Sequence, residues 1–414
     1  MSRKTSGAPY APPTPPSPLP IDVPWPLLGG ISPAKFMKQY WQKKPLLVRG
    51  AIPAFGLASA FGTPLSSPIP PAELFKLAGS KNVESRLVKH SPSWSLRHGP
   101  FQNRDIPSLN DKNWTLLLQG VNGHHVAAQT VMSWFRFIPQ ARLDDVMISI
   151  AGPGGGVGPH QDSYDVFLIQ MSGRRRWRIA QQKDNRLVDG LPVKILKNFR
   201  PEEDWVLEPG DMLYLPPNIA HDGIALDAGC QTWSVGFRVP TYSELINEIL
   251  WRTQEVLESD PKLKRLYSDP HQVAVEDAGR VPKQLIEELH HKLSKISWSK
   301  SDISCTLAGV MSEPKPQTTF EAPRTPLNLT RFRQEMTTRG IQLSPGSRLL
   351  HDGEFAYLNG EFASDNQAPD WRYWQELSKN QTVKPALATQ LARLLNETDN
   401  PWYEGYLAGW LALG

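Results

Sequence analysis

The stretch VMISIAGPGGGVGPHQDSYDVFLIQMSGRRRWRI, residues Val146–Ile179, decides the fold. Short apolar runs alternate in it with glycine and proline turns, and no helical period lies between them. The pattern continues through DWVLEPGDMLYLPP (Asp204–Pro217) and QTWSVGFRV (Gln231–Val239). Many short strands bounded by turn signals predict an all-β sandwich or barrel over Val146–Val239.

The same stretch carries the chemistry. His160 and Asp162 are two residues apart, and on a strand such residues point to one face while Gln161 points away. A third ligand is found in PGDMLYLPPNIAHDG: a tight turn at Glu208–Asp211, a strand at Met212–Leu215, a rigid exit at Pro216–Pro217, then His221 at a strand start. Two histidines and one carboxylate form the facial triad of non-haem Fe(II) oxygenases, which leaves positions open for a co-substrate and dioxygen. H-x-D alone is weak. Inside a β-rich region and followed by P-G-D-x-x-Y-x-P-x(4)-H it is a strong signal. The bland alternative makes both histidines loop or core residues.

Strand parity sorts the arginines of Arg174–Ile179. Arg174, Arg176 and Arg178 share one face; Arg175, Trp177 and Ile179 share the other, which is the apolar one and faces the barrel. A buried guanidinium needs an anionic partner, and a carboxylate fits its fork. The partner is either a bound carboxylate or an internal Asp or Glu. Ser149, on the face opposite Val146, Ile148 and Ile150, offers a hydroxyl inside the barrel to the same carboxylate or bonds its own backbone.

Outward from this core, the 414 residues suggest two to three domains, and a composition 40% hydrophobic and 21% charged fits a globular chain. A net charge of +4 is too balanced to indicate nucleic-acid binding by itself. Two cysteines, Cys230 and Cys305, exclude a disulfide framework and a Cys-based zinc site and fit a reducing, cytoplasmic setting. No apolar run is long enough to span a membrane. Residues 1–26 hold nine prolines and no apolar signal core, so they are expected to form a disordered Pro-rich tail; an SH3-type ligand is the other reading. Residues 27–240 are expected to form the catalytic domain. Within it Ser32 caps a helix from Pro33, Pro53–Pro71 reads as loop, and Asn113–Leu118 and His125–Thr130 fit strand or helix equally. Residues 241–325 form a helical segment, opened by the Thr241–Glu244 capping box and continued by a helix over Lys283–Ile296. Residues 326–414 form a small domain with a hairpin at Asn359–Gly360 and helical stretches at Asn328–Arg339, Trp371–Leu377, Lys384–Leu395 and Trp402–Leu413. Helices and one hairpin suggest a winged-helix-like module. It has no strong basic run, so direct nucleic-acid binding is not indicated.

GPGGGVGPHQDSYDVFLIQMSGRRRWRI and LEPGDMLYLPPNIAHDG resemble the bacterial cupin-type JmjC ribosomal oxygenases. The resemblance covers roughly Ile21 to the C-terminus. It implies a mainly β core, the double-stranded β-helix, followed by a helical dimerisation segment and a C-terminal winged-helix-like domain. It implies a hydroxylase dependent on Fe(II), 2-oxoglutarate and dioxygen. The expected reaction is 3-hydroxylation of an arginine in a large-subunit ribosomal protein, carried out by a homodimer. His160, Asp162 and His221 are then the iron ligands and catalytic centre, Arg175 the anchor of the distal 2-oxoglutarate carboxylate, and Ser149 its assistant. Asp165 and Asp222, which flank the motif residues, are candidates for holding a cationic substrate at the mouth.

Two other readings stay open on the residues. A metal cupin of another reaction class would not need Arg175, and replacing that residue would leave 2-oxoglutarate affinity intact. A non-enzymatic JmjC-like module docking on the ribosome or nucleic acid would show no iron-dependent release of carbon dioxide from 2-oxoglutarate. Gly152–Gly158 lacks G-K-[ST] and is followed by strand, so neither nucleotide fingerprint applies. Glu287 and His291, spaced i, i+4 on a helix, read as a solvated face.

Overall fold

The computed structural model describes residues 9–16, 19–60, 62, 65–316, 318–395, 397 and 399–414. The chain divides into two compact units: Met1–Val239 with Pro314–Ser347 and Gln375–Gly414, and Pro240–Glu313 with Arg348–Trp374.

The first unit opens with α1 (Pro33–Gln39), β1 (Leu46–Val48), α2 (Pro53–Ala60), α3 (Pro71–Ala78), β2 (Ser85–Lys89), β3 (Ser95–His98), β4 (Trp114–Leu118) and α4 (Val126–Ser133). Eight strands follow: β5 (Leu143–Ala151), β6 (His160–Gln161), β7 (Val166–Ser172), β8 (Arg175–Ala180), β9 (Glu203–Leu207), β10 (Met212–Leu215), β11 (Ala220–Ala225) and β12 (Cys230–Phe237). They build two antiparallel sheets, β1-β10-β7-β12-β5-β4-β2-β3 and β6-β11-β8-β9, the double-stranded β-helix.

Strand parity divides the large sheet. Ile148, Ile150, Phe167, Ile169, Tyr214, Trp233 and Val235 belong to one face and share a core with Phe36 and Phe135. Edge-to-face and tilted ring contacts knit it, Phe36 to Tyr214 at 4.9 Å and Phe135 to Phe167 at 4.5 Å. The other face lines the barrel interior. There the cross-strand neighbours Ser149, Thr232 and Gln170 are all buried and polar. That inner face is mixed: Val166, Leu168, Leu213 and Leu215 pack with Trp177, Ile179, Leu207 and Ile219 of the small sheet in a second apolar cluster, and the polar side chains stand beside it.

Several local expectations meet their structure. Ser32 accepts from the Lys35 N–H and starts α1. Trp114–Leu118 is a fully buried strand, whereas Val126–Ser133 is a helix whose N-cap, His125, accepts from the Ala127 N–H. Pro53–Pro71 is not all loop: Pro53 starts α2, and Pro71 starts α3. A proline at the first helical position lacks only an N–H that would be unpaired anyway. Residues 1–8, 17 and 18 of the Pro-rich segment lie outside the described residues. Of the rest, Tyr10 pairs with Ser66 and packs its ring 5.1 Å from Phe55, while the Pro13 carbonyl accepts from Trp134 Nε1. That portion is docked, not free, because two aromatic side chains receive it.

The remaining elements in chain order are α5 (Tyr242–Ser259), α6 (Lys283–Leu293), α7 (Lys300–Ser312), α8 (Leu329–Arg339), β13 (Ile341–Leu343), β14 (Leu349–His351), β15 (Phe355–Leu358), β16 (Glu361–Asp365), α9 (Trp371–Asn380), β17 (Thr382–Val383), α10 (Pro385–Ala392), α11 (Pro401–Leu407) and β18 (Leu411–Leu413). In the second unit the Thr241–Glu244 capping box opens α5, and β15 turns into β16 at Asn359–Gly360, both at positive φ. In the first unit β13 pairs with β17 and β18. Trp402–Leu413 is therefore helix only to Leu407 and, after a turn, strand over Leu411–Leu413. Gly409, at φ 76°, breaks the helix where a Cβ would lie 2.6 Å from the Glu321 carbonyl oxygen. Among the described residues no helix is long and apolar enough to cross a membrane.

Candidate metal and co-substrate site

Register, not sequence distance, assembles the site. β6 pairs with β11 so that His160 stands directly opposite His221, closing a gap of 61 residues, and their rings lie 4.2 Å apart. Asp162 follows on the same face. Its two carboxylate oxygens lie 3.9 Å from His160 Nε2 and 3.7 Å from His221 Nε2. Those spans are too long for hydrogen bonds. An ion about 2.1 Å from each atom would bridge them. Among the described residues these three form the one group of His, Cys, Asp and Glu whose donor atoms all lie within 4.8 Å of one another. Glu287 and His291 are exposed and outside it.

The backbone sets the tautomers. His160 Nδ1 lies 2.8 Å from the Gly158 carbonyl oxygen and His221 Nδ1 lies 2.9 Å from that of Ile219. A proton held at each Nδ1 leaves each Nε2 lone pair free for a cation. His221 is pushed down to about 4 by burial, and then by the neighbouring His160, so it stays neutral and competent to ligate at physiological pH. Asn218, in left-handed conformation, donates its N–H to the Asp162 carbonyl oxygen and ties the turn before β11 to the H-x-D segment.

The glycines before His160 are there for close approach. A Cβ at Gly155 would lie 2.0 Å from the Trp114 carbonyl oxygen, and one at Gly156 would lie 2.6 Å from that of Gly223. The loop thus threads between β4 and β11 and delivers His160 in register.

On β8 the alternation places Arg175, Trp177 and Ile179 inside. Arg176 is exposed and pairs with Asp204, while Arg178 pairs with Asp222. Arg175 is 4% exposed, yet its Nε and Nη2 have no partner, and Nη1 makes one long bond of 3.4 Å to the Gly223 carbonyl oxygen. The Trp177 Nε1 and Thr115 Oγ1 atoms are likewise buried without partners. Donors orphaned in an interior cost free energy unless something accepts from them. A small dicarboxylate held by Arg175 would, so the residues fit such a co-substrate. Ser149 lies on the inner face, where its Oγ donates to the Thr232 carbonyl oxygen at 3.3 Å.

The two carboxylates proposed for the mouth are not there. Asp165 is fully buried, accepting from Tyr214 Oη at 2.6 Å and Gln42 Nε2 at 3.0 Å, with Arg142 at 3.6 Å. Burial pushes its carboxyl above the ordinary range despite those donors. Asp222 alternates away from His221 onto the other face of β11, against Arg178. Tyr164 is the group that interacts with Asp162, and Asp145, 5% exposed and paired with Lys315, lies behind it. Tyr164 keeps 38% of its surface exposed. Its phenol is held above its usual range by burial, then by the charges of Asp162 and Asp145. A Cβ at Gly236 would lie 3.7 Å from Asp145 Oδ1 and 4.0 Å from the Tyr164 ring, so the glycine leaves a gap between them. Tyr164 sits two residues past Asp162, on the parity of the ligands; that was the signal available in the sequence.

The chain is similar to known proteins of one family. The JmjC domain model matches residues 130–245. The chain is 34% identical over 336 residues to the ribosomal protein uL16 3-hydroxylase of Escherichia coli, covering 79% of this chain and 84% of that protein. It is 35% identical to a probable ribosomal oxygenase of Haemophilus influenzae over 53% of this chain and 52% of that one. The structure of the E. coli ribosomal oxygenase YcfD in complex with cobalt and 2-oxoglutarate superposes with a TM-score of 0.70 at 30% identity, over 92% of this chain and 97% of that one.

Proposed function

This chain belongs to the JmjC-domain ribosomal oxygenases, and on that premise we propose that it is a 2-oxoglutarate- and Fe(II)-dependent hydroxylase of an arginine side chain, at C3, in the large-subunit ribosomal protein uL16. The observation that carries the reading is a pair: three metal-binding atoms within 4.8 Å of one another, and a buried guanidinium on an inner strand face with two unpartnered nitrogens. A metal cupin that does not use 2-oxoglutarate has no need of Arg175. An internal ion pair is not what the guanidinium makes here.

His160, Asp162 and His221 would hold the iron, with Arg175 taking the distal carboxylate of 2-oxoglutarate and Ser149 beside it on the interior wall. Iron and 2-oxoglutarate supply the activation of dioxygen and the oxidising power; the protein supplies binding, orientation and a shielded site. The carbonyls of Gly158 and Ile219 keep both imidazoles presented through Nε2. Tyr164 and Asp145 would receive the substrate guanidinium, the ring against its plane and Oδ1 as acceptor. Asp145 is already held by the Gly120 N–H at 2.9 Å and by Lys315 at 3.0 Å, both on Oδ2, so its orientation is set before substrate arrives.

We propose also that the enzyme is a homodimer built on the second unit. On α5, Tyr242, Ile246 and Leu250 recur every four residues and are 86%, 53% and 48% exposed; on α6, Ile286, Leu289 and Leu293 are each more than half exposed. Neither helix has a buried residue. Apolar stripes of that size belong against a partner.

The test is intact-mass measurement of uL16 from cells with and without this gene. One oxygen atom present only with the gene, localised to an arginine by fragmentation, is the expected result. Equal masses would reject the assignment.

A further inference from the structure

Two loops meet over the glycine that precedes the H-x-D segment, and neither has been given a role. One is the β2–β3 connection. His90 Nε2 lies 2.8 Å from the Gly154 carbonyl oxygen, and the His90 ring lies 5.0 Å from that of Trp94. The other is the long β8–β9 connection. Its Leu196 N–H donates to the Pro159 carbonyl oxygen, and its Ile195 is 7% exposed. Both reach Gly158: a Cβ there would lie 3.2 Å from Trp94 Cη2 and 3.0 Å from Ile195 Cδ1. Gly158 is the residue whose carbonyl fixes His160.

A buttress for this glycine would be complete with a buried side chain. Trp94 is only half-buried, on a tip anchored through His90, and so presents an open indole edge. The apolar surface extends along the second loop, where Val188 donates its N–H to the Ile195 carbonyl oxygen and is itself 37% exposed. Gly158, which both loops abut, holds His160 through its carbonyl, so this rim adjoins the proposed metal ligands. Same-face residues of an extended peptide are about 7 Å apart. A substrate segment with its reacting residue at His160, Asp162 and His221 therefore has a neighbouring side chain within one such step of the rim.

We infer that Trp94, backed by Ile195, is a specificity-determining subsite for an apolar side chain flanking the hydroxylated residue. The inference rests on the hydroxylase reading above. Its chemistry is burial of apolar area in a preformed aromatic corner, worth about 1.5 kcal/mol or more and so roughly tenfold in affinity.

The experiment compares the parent enzyme with Trp94→Ala and Trp94→Phe on a uL16 peptide containing the modified arginine and on the same peptide with its flanking apolar residue replaced by alanine. Binding is read by fluorescence anisotropy of labelled peptide and turnover by mass spectrometry. Trp94→Ala is expected to raise Kd and KM about tenfold for the parent peptide with kcat within about twofold, and Trp94→Phe to recover most of the loss. On the alanine-flanked peptide the Trp94→Ala penalty should disappear. An equal penalty on both peptides would mark Trp94 as a structural prop and overturn the inference, as would a modified residue flanked by polar side chains alone. Failure of the hydroxylase reading registers separately, as no uL16 modification by the parent enzyme, and the anisotropy comparison still judges the subsite.

Discussion

Arg175 is the side chain on which the proposed co-substrate chemistry turns. A guanidinium 4% exposed, with Nε and Nη2 unpartnered by the protein, is the group best placed to hold the co-substrate's anion. Arg175→Ala is expected to weaken 2-oxoglutarate binding, followed by calorimetry on the metal-loaded protein, by about 100-fold; Arg175→Lys, which keeps the charge and loses the fork, by about tenfold. Unchanged affinity in both would remove Arg175 from the site. His221→Ala and Asp162→Ala should each lower Fe(II) affinity more than about 100-fold, since altering even an outer partner costs ten- to 100-fold. Equilibrium dialysis measures this, and a variant that still binds iron tightly would break the triad assignment. At this scale parity puts Arg175 and Ser149 on inner faces and His160 and Asp162 on one face. It also sends Asp222 away from His221, and it does not report that Asp165 sits against Tyr214.

At the scale of elements, β8 and β11 fit because β11 gives up side-chain volume. Gly223 stands opposite Trp177, and a Cβ there would lie 2.6 Å from the indole. Gly223→Ala should destabilise the fold by about 1–3 kcal/mol, the usual cost of overpacking, and loosen His221 two residues away. A melting temperature equal to the parent's would show that the indole moves freely. Turn and cap chemistry was readable in the sequence: Ser32, the Thr241–Glu244 box and Asn359–Gly360 act through neighbours a few residues away. The Ser299–Asp302 box that opens α7 carried the same signal. Pro53–Ala60 departs from its loop-like composition because a proline suits the first helical turn, and Trp402–Leu413 departs from a single helix. In the second, the strand forms only by pairing with β13, more than sixty residues earlier.

For the whole molecule, the decisive surface is that of α5 and α6. Leu250→Glu places a charge in the proposed dimer seam and should shift the protein from dimer to monomer in sedimentation velocity, with the first unit's fold intact by circular dichroism. A parent protein that sediments as a monomer would dismiss the dimer.

The sequence by itself determined what depends on local spacing: the β-rich core, the metal-binding residue types, the inward arginine, the caps and the hairpin. These follow from fixed periods of two and 3.6 residues and from turn stereochemistry. Only the tertiary structure decided what depends on register between distant strands and on burial. It set His160 against His221, left Arg175 without an internal ion pair, buried Asp165 and Asp222, and brought Trp94 against the glycine that holds His160. Those relations are made by strands and loops far apart in the chain, and no local period encodes them.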